Sequence, residues 1–175
     1  QRRYEEAITW FKKYLELVPT SAYAHHWIAI CHLQRGDRDQ ALREADAVLA
    51  IDPRFTDARV LKGGVLAARG DYEGAIAELR TAVDTDVAKP MLRLDLAKVL
   101  AEAGRKTEAR AEYEAALRLQ PDFAPALVGL GVLQAGLGEN EAAQATLTRA
   151  LELDPTSSQA RFNLGRVLEL RGDRA

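Results

Sequence analysis

Three histidines and the single cysteine are the residues whose types could support metal chemistry, and they lie close together. His25, His26, Cys31 and His32 are separated from one another by 1, 5, 6 or 7 residues. Two zinc ligands on one helix need a spacing of three or four residues to share a face. The spacing therefore predicts no metal site. We interpret His25 and His32 as packing residues and Cys31 as a buried small apolar residue.

No other short motif indicates catalysis. Gly129 and Gly131 resemble the beginning of a dinucleotide-binding fingerprint, but they fall inside a predicted helix and no strand precedes them. The sequence has no phosphate-binding loop, no nucleophile motif and no metalloprotease helix. We therefore predict that these residues bind no cofactor and form no enzyme active site.

Composition limits the classes of partner. The formal net charge is −2, with 47% hydrophobic and 29% charged residues, and the basic residues are dispersed among acidic ones. Since no basic stripe is present to neutralise phosphates, nucleic acid is not an expected partner. The apolar runs are short, so no membrane span is expected. A single cysteine does not indicate whether the protein is found in an oxidising or a reducing compartment, although we favour the cytoplasm. The excess of arginine and alanine suggests a bacterial source.

The elements that must position any site follow from an internal repeat. Three series of residues recur along the chain with the same constant spacing, and this spacing is the length of the repeat unit. The glycine series is Gly36, Gly70, Gly104, Gly138 and Gly172. The alanine series has the same spacing: Ala7, Ala41, Ala75, Ala109 and Ala143. Prolines mark a third point of the repeat, with Val87 where one is missing: Pro19, Pro53, Pro121 and Pro155.

Each repeat is predicted to contain two amphipathic helices, because apolar residues recur at helical spacing between these stop signals. The first three helices are predicted at Arg3–Leu17, Ala22–Arg35 and Arg38–Ile51. Thr20 or Ser21 would cap the second helix, and Asp37 with Gln40 would form a capping box on the third. Because Val87 replaces a proline, the helix that includes Ala75 to Val83 is expected either to run on or to end loosely before Pro90.

The pattern resembles the tetratricopeptide repeat (TPR), whose helix-turn-helix unit of about 34 residues has preferred residues at positions 4, 7, 8, 11, 20, 24, 27 and 32. Numbered from Ala22, position 8 is always small: Ala29, Gly63, Ala97, Gly131 and Gly165. The resemblance covers the whole chain and implies an all-α, right-handed superhelical solenoid. It implies one array, with full repeats at 22–55, 56–89, 90–123 and 124–157 and partial repeats at 1–21 and 158–175. Lys62 departs from the apolar pattern of position 7, and we expect its ammonium group to reach water.

In this family, positions 2, 5, 6, 9, 12 and 13 of the first helix face the concave side and contact ligands. Here they are largely apolar, which indicates a binding groove for a protein or peptide segment. The candidate contacts are Tyr23, His26, Trp27, Ile30, Val60, Leu61, Met91, Leu94, Lys98, Val128, Val132, Phe162 and Arg166. The alternative interpretation is that the apolar stripe reflects ordinary packing between neighbouring helices.

Three functions remain open at this point. The favoured one is a protein-interaction scaffold that binds a peptide or helical segment. The chain could instead be a docking or regulatory arm of a larger enzyme whose catalytic domain lies outside it, or it could self-associate through its ends. The carboxylate clamp of chaperone-binding family members is absent, because His26, Val60, Leu94 and Ile30 stand at its positions.

The first and last helices are expected to lack half of their packing. Residues 3–17 form only the second helix of a repeat, and residues 158–171 form only a first helix. Phe11, Leu164 and Leu168 are therefore expected to be poorly covered. Because repeat arrays need covered ends, we expect either that the parent protein continues at both ends or that these faces meet another copy.

Overall fold

The computed structural model describes residues 2–172, and that part of the chain consists of helices without strands. The expected all-α class is confirmed. The helices are α1 (Arg2–Leu17), α2 (Ala22–Arg35), α3 (Arg38–Ile51), α4 (Thr56–Ala67), α5 (Tyr72–Thr85), α6 (Pro90–Glu102), α7 (Lys106–Leu119), α8 (Ala124–Gly136), α9 (Asn140–Leu153) and α10 (Ser158–Arg171). Gln1 and residues 173–175 of the two predicted partial repeats lie outside the described residues.

The stop signals act as the sequence predicts. All five glycines of the repeat series have positive φ, between 75° and 84°, which glycine adopts without a steric penalty just past a helix end. Ser21 caps α2, because its hydroxyl accepts a hydrogen bond from the Ala24 amide at 3.3 Å. Proline occupies the first turn of α6 and of α8, where a missing amide hydrogen costs little. The helix boundaries therefore follow from local chemistry.

Two local expectations are wrong. Helix α5 ends at Thr85, in register with the end of α3 at Ile51, so the missing proline at Val87 does not loosen it. The Asp37 side chain makes no cap hydrogen bond to α3. Its carboxylate instead lies 3.5 Å from Arg35 Nε, so a positive group on α2 competes with the helix amide for the same side chain.

The chain forms two compact units, unit 1 (Gln1–Asp86) and unit 2 (Val87–Ala175). Within unit 1, the α1–α2 contact includes a cluster of Ile8, Ile28 and Cys31, with Phe11 packed partly against it. Cys31 is 6% exposed, and burial raises the pKa of its thiol, as expected for a small core residue. Phe11 is half-buried, in agreement with the expected lack of cover.

Two hydrophobic clusters among the described residues of unit 2 lie around α9. Leu127, Val128, Ala150 and Ala160 form one cluster, in which Ala150 packs beside residues of α8 and α10. The other contains Ala143, Leu147 and Val167, with Leu164 packed partly against it. Leu164 and Leu168 are half-buried, as the sequence predicts for the last helix.

Small residues set the closest approach of paired helices. A Cβ added at Gly63 would lie 3.0 Å from Leu79 Cγ, and one added at Gly131 would lie 2.6 Å from Leu147 Cγ. Both glycines occupy position 8 of their repeats, and both leucines occupy position 24. Each of these helix pairs therefore packs a leucine directly onto a glycine.

The Lys62 side chain is 24% exposed, and its ammonium group is paired with two carboxylates. Lys62 Nζ lies 2.8 Å from Asp46 Oδ1 and 3.0 Å from Glu78 Oε1. The hydrogen bonds that it donates, that to Asp46 first, raise the pKa of the Lys62 ammonium, although burial opposes them. The lysine thus joins α4 to α3 and α5 through paired charges.

Candidate functional site

The predicted contact residues differ widely in their exposure. Seven are exposed: Tyr23, Trp27, Met91, Lys98, Val132, Phe162 and Arg166. Four are half-buried: His26, Ile30, Val60 and Leu61. Leu94 and Val128 are only 1% and 7% exposed. For Leu94 the packing interpretation therefore describes the side chain better than the groove interpretation does.

A groove in unit 2 brings three predicted contacts together. Lys98, Val128 and Val132 line a cavity of about 420 Å³, which we call the Lys98 groove. The rest of its lining comes from α6, α7, α8 and α10: Ala101, Glu102, Lys106, Tyr113, Pro125, Gly129, Leu133, Gly136 and Gln159. It has an apolar floor with charged and polar groups at its edge, the arrangement typical of a ligand site.

Gly129 leaves space for the ring of Tyr113, which also lines this groove. A Cβ at Gly129 would overlap the ring of Tyr113 and lie 2.8 Å from its hydroxyl oxygen. Tyr113 is 4% exposed, and burial, aided by the charge of Glu102, raises its pKa to about 12. The phenol of this lining residue is therefore neutral at neutral pH.

Two lysines supply positive charge to the Lys98 groove. Lys98 is exposed, and its Nζ lies 3.9 Å from Asp95 Oδ1 on the same helix. Burial raises the pKa of the Asp95 carboxyl, while the charge of Lys98 opposes this rise. Lys106 Nζ donates a 3.4 Å hydrogen bond to the Gly136 carbonyl. The lining contains these two lysines and one acidic side chain, Glu102. Because positive charge is in excess, the groove favours a ligand that carries an anionic group.

A second groove, in unit 1, lies between α1 and α2 and is more strongly apolar. Its volume is about 550 Å³, and we call it the Trp10 groove. Its exposed side chains include Trp10 (68%), Tyr14 (48%) and Leu17 (82%) from α1. Two predicted contacts from α2, Tyr23 and Trp27, form the opposite side. Contiguous exposed apolar surface of this kind usually contacts another protein segment.

Aromatic rings also connect α2 to the residue before α4. The rings of Tyr23 and Phe55 meet edge to face with centroids 5.2 Å apart, and the His26 ring lies 5.0 Å from Phe55. His26 Nδ1 is buried without a hydrogen-bond partner. Burial lowers the pKa of His26, with the charge of Asp57 opposing this effect, so the imidazole is neutral at pH 7.

Other predicted contacts do not join these two grooves. The Arg166 guanidinium carbon lies 6.0 Å from the centroid of the Phe162 ring on α10, within the range of a cation–π contact. Met91 is exposed at the start of α6. Ile30, Val60 and Leu61 are half-buried in α2 and α4 and do not line the Trp10 groove.

Sequence reasoning missed several groove residues. Trp10 stands where the next repeats have Glu44, Glu78 and Glu112, and this break in the repeat could have identified it. Lys106 and Tyr113 were missed because they come from a second helix, whereas the family pattern assigns contacts to first helices. Gln159 stands at position 2 of its repeat, so the family pattern includes it, although it is not among the candidate contacts.

Neither a metal-binding group nor a membrane-spanning helix occurs within residues 2–172. No group of three or more histidine, cysteine, aspartate or glutamate side chains is placed to hold a metal ion there. His25 Nδ1 lies 2.7 Å from Glu44 Oε2, so this ring contacts a carboxylate of α3. Within the same residues, every helix is too short or too polar to cross a membrane.

Comparison with known proteins shows which family this architecture represents. Two models described as tetratricopeptide repeat match the chain, one at residues 28–90 and the other at residues 66–130 and 100–161. The Superkiller complex protein 3 of Mus musculus is 29% identical over 115 residues, which are 63% of this chain and 7% of that protein. The chain spans at most 24% of the length of the curated relatives it matches.

Solved structures show the same fold. A thermophilic TPR protein of Thermus thermophilus superposes with a TM-score of 0.78 at 25% identity, covering 95% of this chain and 91% of that one. YrrB, described as a TPR protein with an unusual peptide-binding site, has a TM-score of 0.72 at 21% identity, covering 94% and 84%. The TPR solenoid class predicted from the repeat is confirmed.

Proposed function

Since this chain belongs to the tetratricopeptide repeat family, we propose that it is a protein-interaction scaffold that binds a peptide or helical segment in the Lys98 groove. The family and its relatives in multi-subunit complexes support protein partners in general. The observation that carries the finer proposal is that Lys98, Lys106 and Tyr113 line one groove together with the apolar residues Val128, Val132 and Leu133.

The chemistry of the groove indicates the kind of segment it would accept. Val128 and Val132 offer apolar surface for one aliphatic or aromatic side chain, and burial of such a side chain is worth about 1.5–3 kcal/mol. The two lysines favour a carboxylate beside it. The expected ligand is therefore a peptide with an apolar anchor and a neighbouring acidic residue.

The test is selection of peptides from a random display library against this chain, followed by titration of the enriched peptides. We expect enrichment of an acidic residue next to an apolar one. Val132→Glu and Lys98→Glu should each weaken binding, the first by losing the apolar contact and adding repulsion, the second by reversing the attractive charge. A higher salt concentration should also weaken binding, because Lys98 is exposed and salt screens its charge.

Val87→Glu is the matched control, because Val87 is also an exposed valine but does not line the groove. This variant should bind the selected peptides as the parent does. If Val132→Glu binds equally well while its helical spectrum and melting are unchanged, the Lys98 groove is not the site. Loss of binding in all three variants would indicate a general charge effect and would also reject the proposal.

A second candidate, the docking arm of a larger enzyme, is favoured by one relative. A protein named as a probable biofilm formation methyltransferase, WspC of Pseudomonas putida, is 34% identical over 71 residues, which are 41% of this chain and 17% of that protein. In that case the scaffold would place a partner near a catalytic domain. The sequence of the complete gene in the source organism is the test, since an adjoining enzyme domain would support this role and none would reject it.

A further inference from the structure

We propose that Tyr113 determines the specificity of the Lys98 groove, because its ring limits the length of the side chain that the groove can accept. This inference rests on the proposed function and narrows its ligand. The apolar anchor of the bound peptide is a short aliphatic side chain such as valine, since a longer or aromatic anchor would meet the phenol ring. The residues that carry the proposal belong to α6, α7 and α8.

Tyr113 is larger than the residues at the same position of the other full repeats, and its ring reaches the next repeat. Position 24 is leucine in two of them, where Leu79 and Leu147 lie against the position 8 glycine of their own repeat. Position 8 of the third full repeat is Ala97, so no such glycine is present there. The far end of the Tyr113 ring lies against Gly129, which belongs to the following repeat. The ring therefore extends beyond its own helix pair to α8.

The ring occupies the space that a side chain on α8 would otherwise fill. A Cβ built on Gly129 would lie 2.3 Å from Cε1, 2.6 Å from Cζ and 2.8 Å from the hydroxyl oxygen of Tyr113. Gly129 stands at position 6, where the other repeats have larger residues: Trp27, Leu61, Asp95 and Asn163. The largest residue at position 24 of the full repeats is thus followed by the smallest at position 6 of the next repeat. The two departures from the repeat belong to one contact.

Tyr113 completes a floor of buried side chains in the Lys98 groove. Tyr113, Val128 and Leu133 line the groove and are 4%, 7% and 8% exposed. Lys98 and Val132 belong to the same lining but are exposed. Because buried side chains are close-packed, an anchor cannot insert between the three floor residues unless one of them moves or is made smaller. The anchor of the bound peptide therefore lies above this floor, beside Val132.

The position of the ring decides which anchor fits above the floor. The ring cannot retreat towards α8, because it already fills the space over Gly129. A short aliphatic anchor contacts Val132 and the floor without displacing the ring, whereas a phenylalanine side chain would require the ring to move. One methylene group in an apolar site changes the affinity by about tenfold or more. The preference for a short anchor is therefore large enough to measure.

The test compares the anchors that two forms of the chain select. A random peptide display library is selected in parallel against the parent chain and against Tyr113→Leu. Leucine occupies position 24 in two other repeats, so this variant should keep the helical spectrum and cooperative melting of the parent. We expect valine or another short aliphatic residue beside the acidic residue in peptides enriched on the parent. Peptides enriched on Tyr113→Leu should have a longer or aromatic residue at that place.

Titration of two synthetic peptides makes this comparison quantitative. Both have the sequence enriched on the parent chain, and they differ only in the anchor, which is valine in one and phenylalanine in the other. The parent should bind the valine peptide at least about tenfold more tightly than the phenylalanine peptide. Tyr113→Leu should remove or reverse this preference. Tyr113→Phe should keep it, because this variant retains the ring and loses only the hydroxyl group.

Gly129→Ala tests the same contact from α8. The new methyl group would push the ring into the groove, so the affinity for the valine peptide should fall by about tenfold. In the Tyr113→Leu background no ring remains to be displaced, so adding Gly129→Ala should change the affinity by less than about threefold. This double variant keeps the test decisive even where Gly129→Ala alone does not fold.

Gly64→Ala is the matched control for these variants. Gly64 is also a helical glycine, but no atom lies within 4 Å of its Cβ position and it does not line the Lys98 groove. The control should bind both peptides as the parent does.

The outcomes separate this inference from the proposed function. If the enriched peptides lose affinity for Val132→Glu but the parent and Tyr113→Leu prefer the same anchor, the proposed function stands and the ring does not determine specificity. Loss of the valine preference in Tyr113→Phe would also overturn the inference, because the hydroxyl group rather than the ring would then be responsible. If no enriched peptide responds to Val132→Glu, the proposed function is wrong and this inference is wrong with it.

Discussion

The Arg93 guanidinium donates a 2.9 Å hydrogen bond to the Glu112 carboxylate and so connects α6 to α7. The same contact occurs one repeat earlier between Arg59 and Glu78, and two repeats earlier His25 takes the place of arginine opposite Glu44. One repeat later both partners change together, to Leu127 and Thr146. The pair is thus replaced as a unit, as expected when a half-buried charge needs its partner.

The first prediction concerns this replacement. Arg93→Leu should lower the free energy of unfolding by about 1–3 kcal/mol, because the Glu112 side chain, 24% exposed, loses its partner. The double variant Arg93→Leu with Glu112→Thr should recover most of that loss. Urea denaturation of both single variants and the double variant gives the coupling energy. Equal losses in the single Arg93→Leu variant and the double variant would contradict the prediction.

The second prediction compares two helical glycines. Gly131→Ala should destabilise the chain by about 1–3 kcal/mol, because the new Cβ would press on Leu147 Cγ at 2.6 Å. Gly64→Ala should stabilise it by up to about 1 kcal/mol, since Gly64 has open space around it and alanine favours the helix. Thermal unfolding of both variants measures the difference. Similar effects at the two sites would show that close packing is not the reason for glycine at position 8.

The third prediction concerns Lys62 and high pH. The hydrogen bonds that Lys62 donates to Asp46 and Glu78 raise its pKa in the folded chain above the value of about 10.4 for an unfolded lysine. The stabilisation is therefore complete below that value and is lost as the pH rises through the higher folded pKa. Lys62→Met should be less stable than the parent at neutral pH, and the difference should shrink above about pH 10.4.

Urea denaturation of both proteins at neutral and alkaline pH makes this measurement. Lys13→Met is the control, because Lys13 is exposed and lies near Trp10 rather than between two carboxylates. A constant difference between Lys62→Met and the parent across this pH range would reject the proposed charge pairing.

The fourth prediction uses Tyr113. Burial raises its pKa to about 12, so this phenol should ionise in the last step of an absorbance titration of the five tyrosines. The Tyr113→Phe variant should lack that step, whereas Tyr23→Phe, which removes an exposed phenol, should retain it. Because the folded pKa is raised, the parent should lose stability as pH rises from about 10 to about 12, and Tyr113→Phe should lose less. Identical curves for the parent and Tyr113→Phe would contradict the burial of this ring.

Much of the local structure could be predicted from single residues. The bounds predicted for α2 (Ala22–Arg35) and α3 (about Arg38 to Ile51) agree with the structure, because Ser21, Gly36 and Pro53 act on the backbone beside them. The cap predicted at Asp37 is wrong, because its carboxylate contacts a nearby positive side chain instead of a helix amide. The positive side chain is that of Arg35, which lies on the preceding helix.

The candidate sites were less predictable than the helices. The family positions included Lys98 and Val132 of the Lys98 groove, but also Leu94, which is buried. They did not include Trp10 or Tyr113, which come from second helices. A position in the repeat states which way a side chain points, whereas its exposure depends on the size of the residues across from it.

By itself the sequence determined the repeat, most of the helix boundaries and the membership of the TPR family, because glycine, proline and helical spacing act over a few residues. Only the tertiary structure decided which apolar residues are packed and which line grooves. Gly129 shows the reason: its missing side chain admits the ring of Tyr113 from α7, and that single contact shapes the Lys98 groove. Such a contact depends on how two helices approach, which no residue specifies alone.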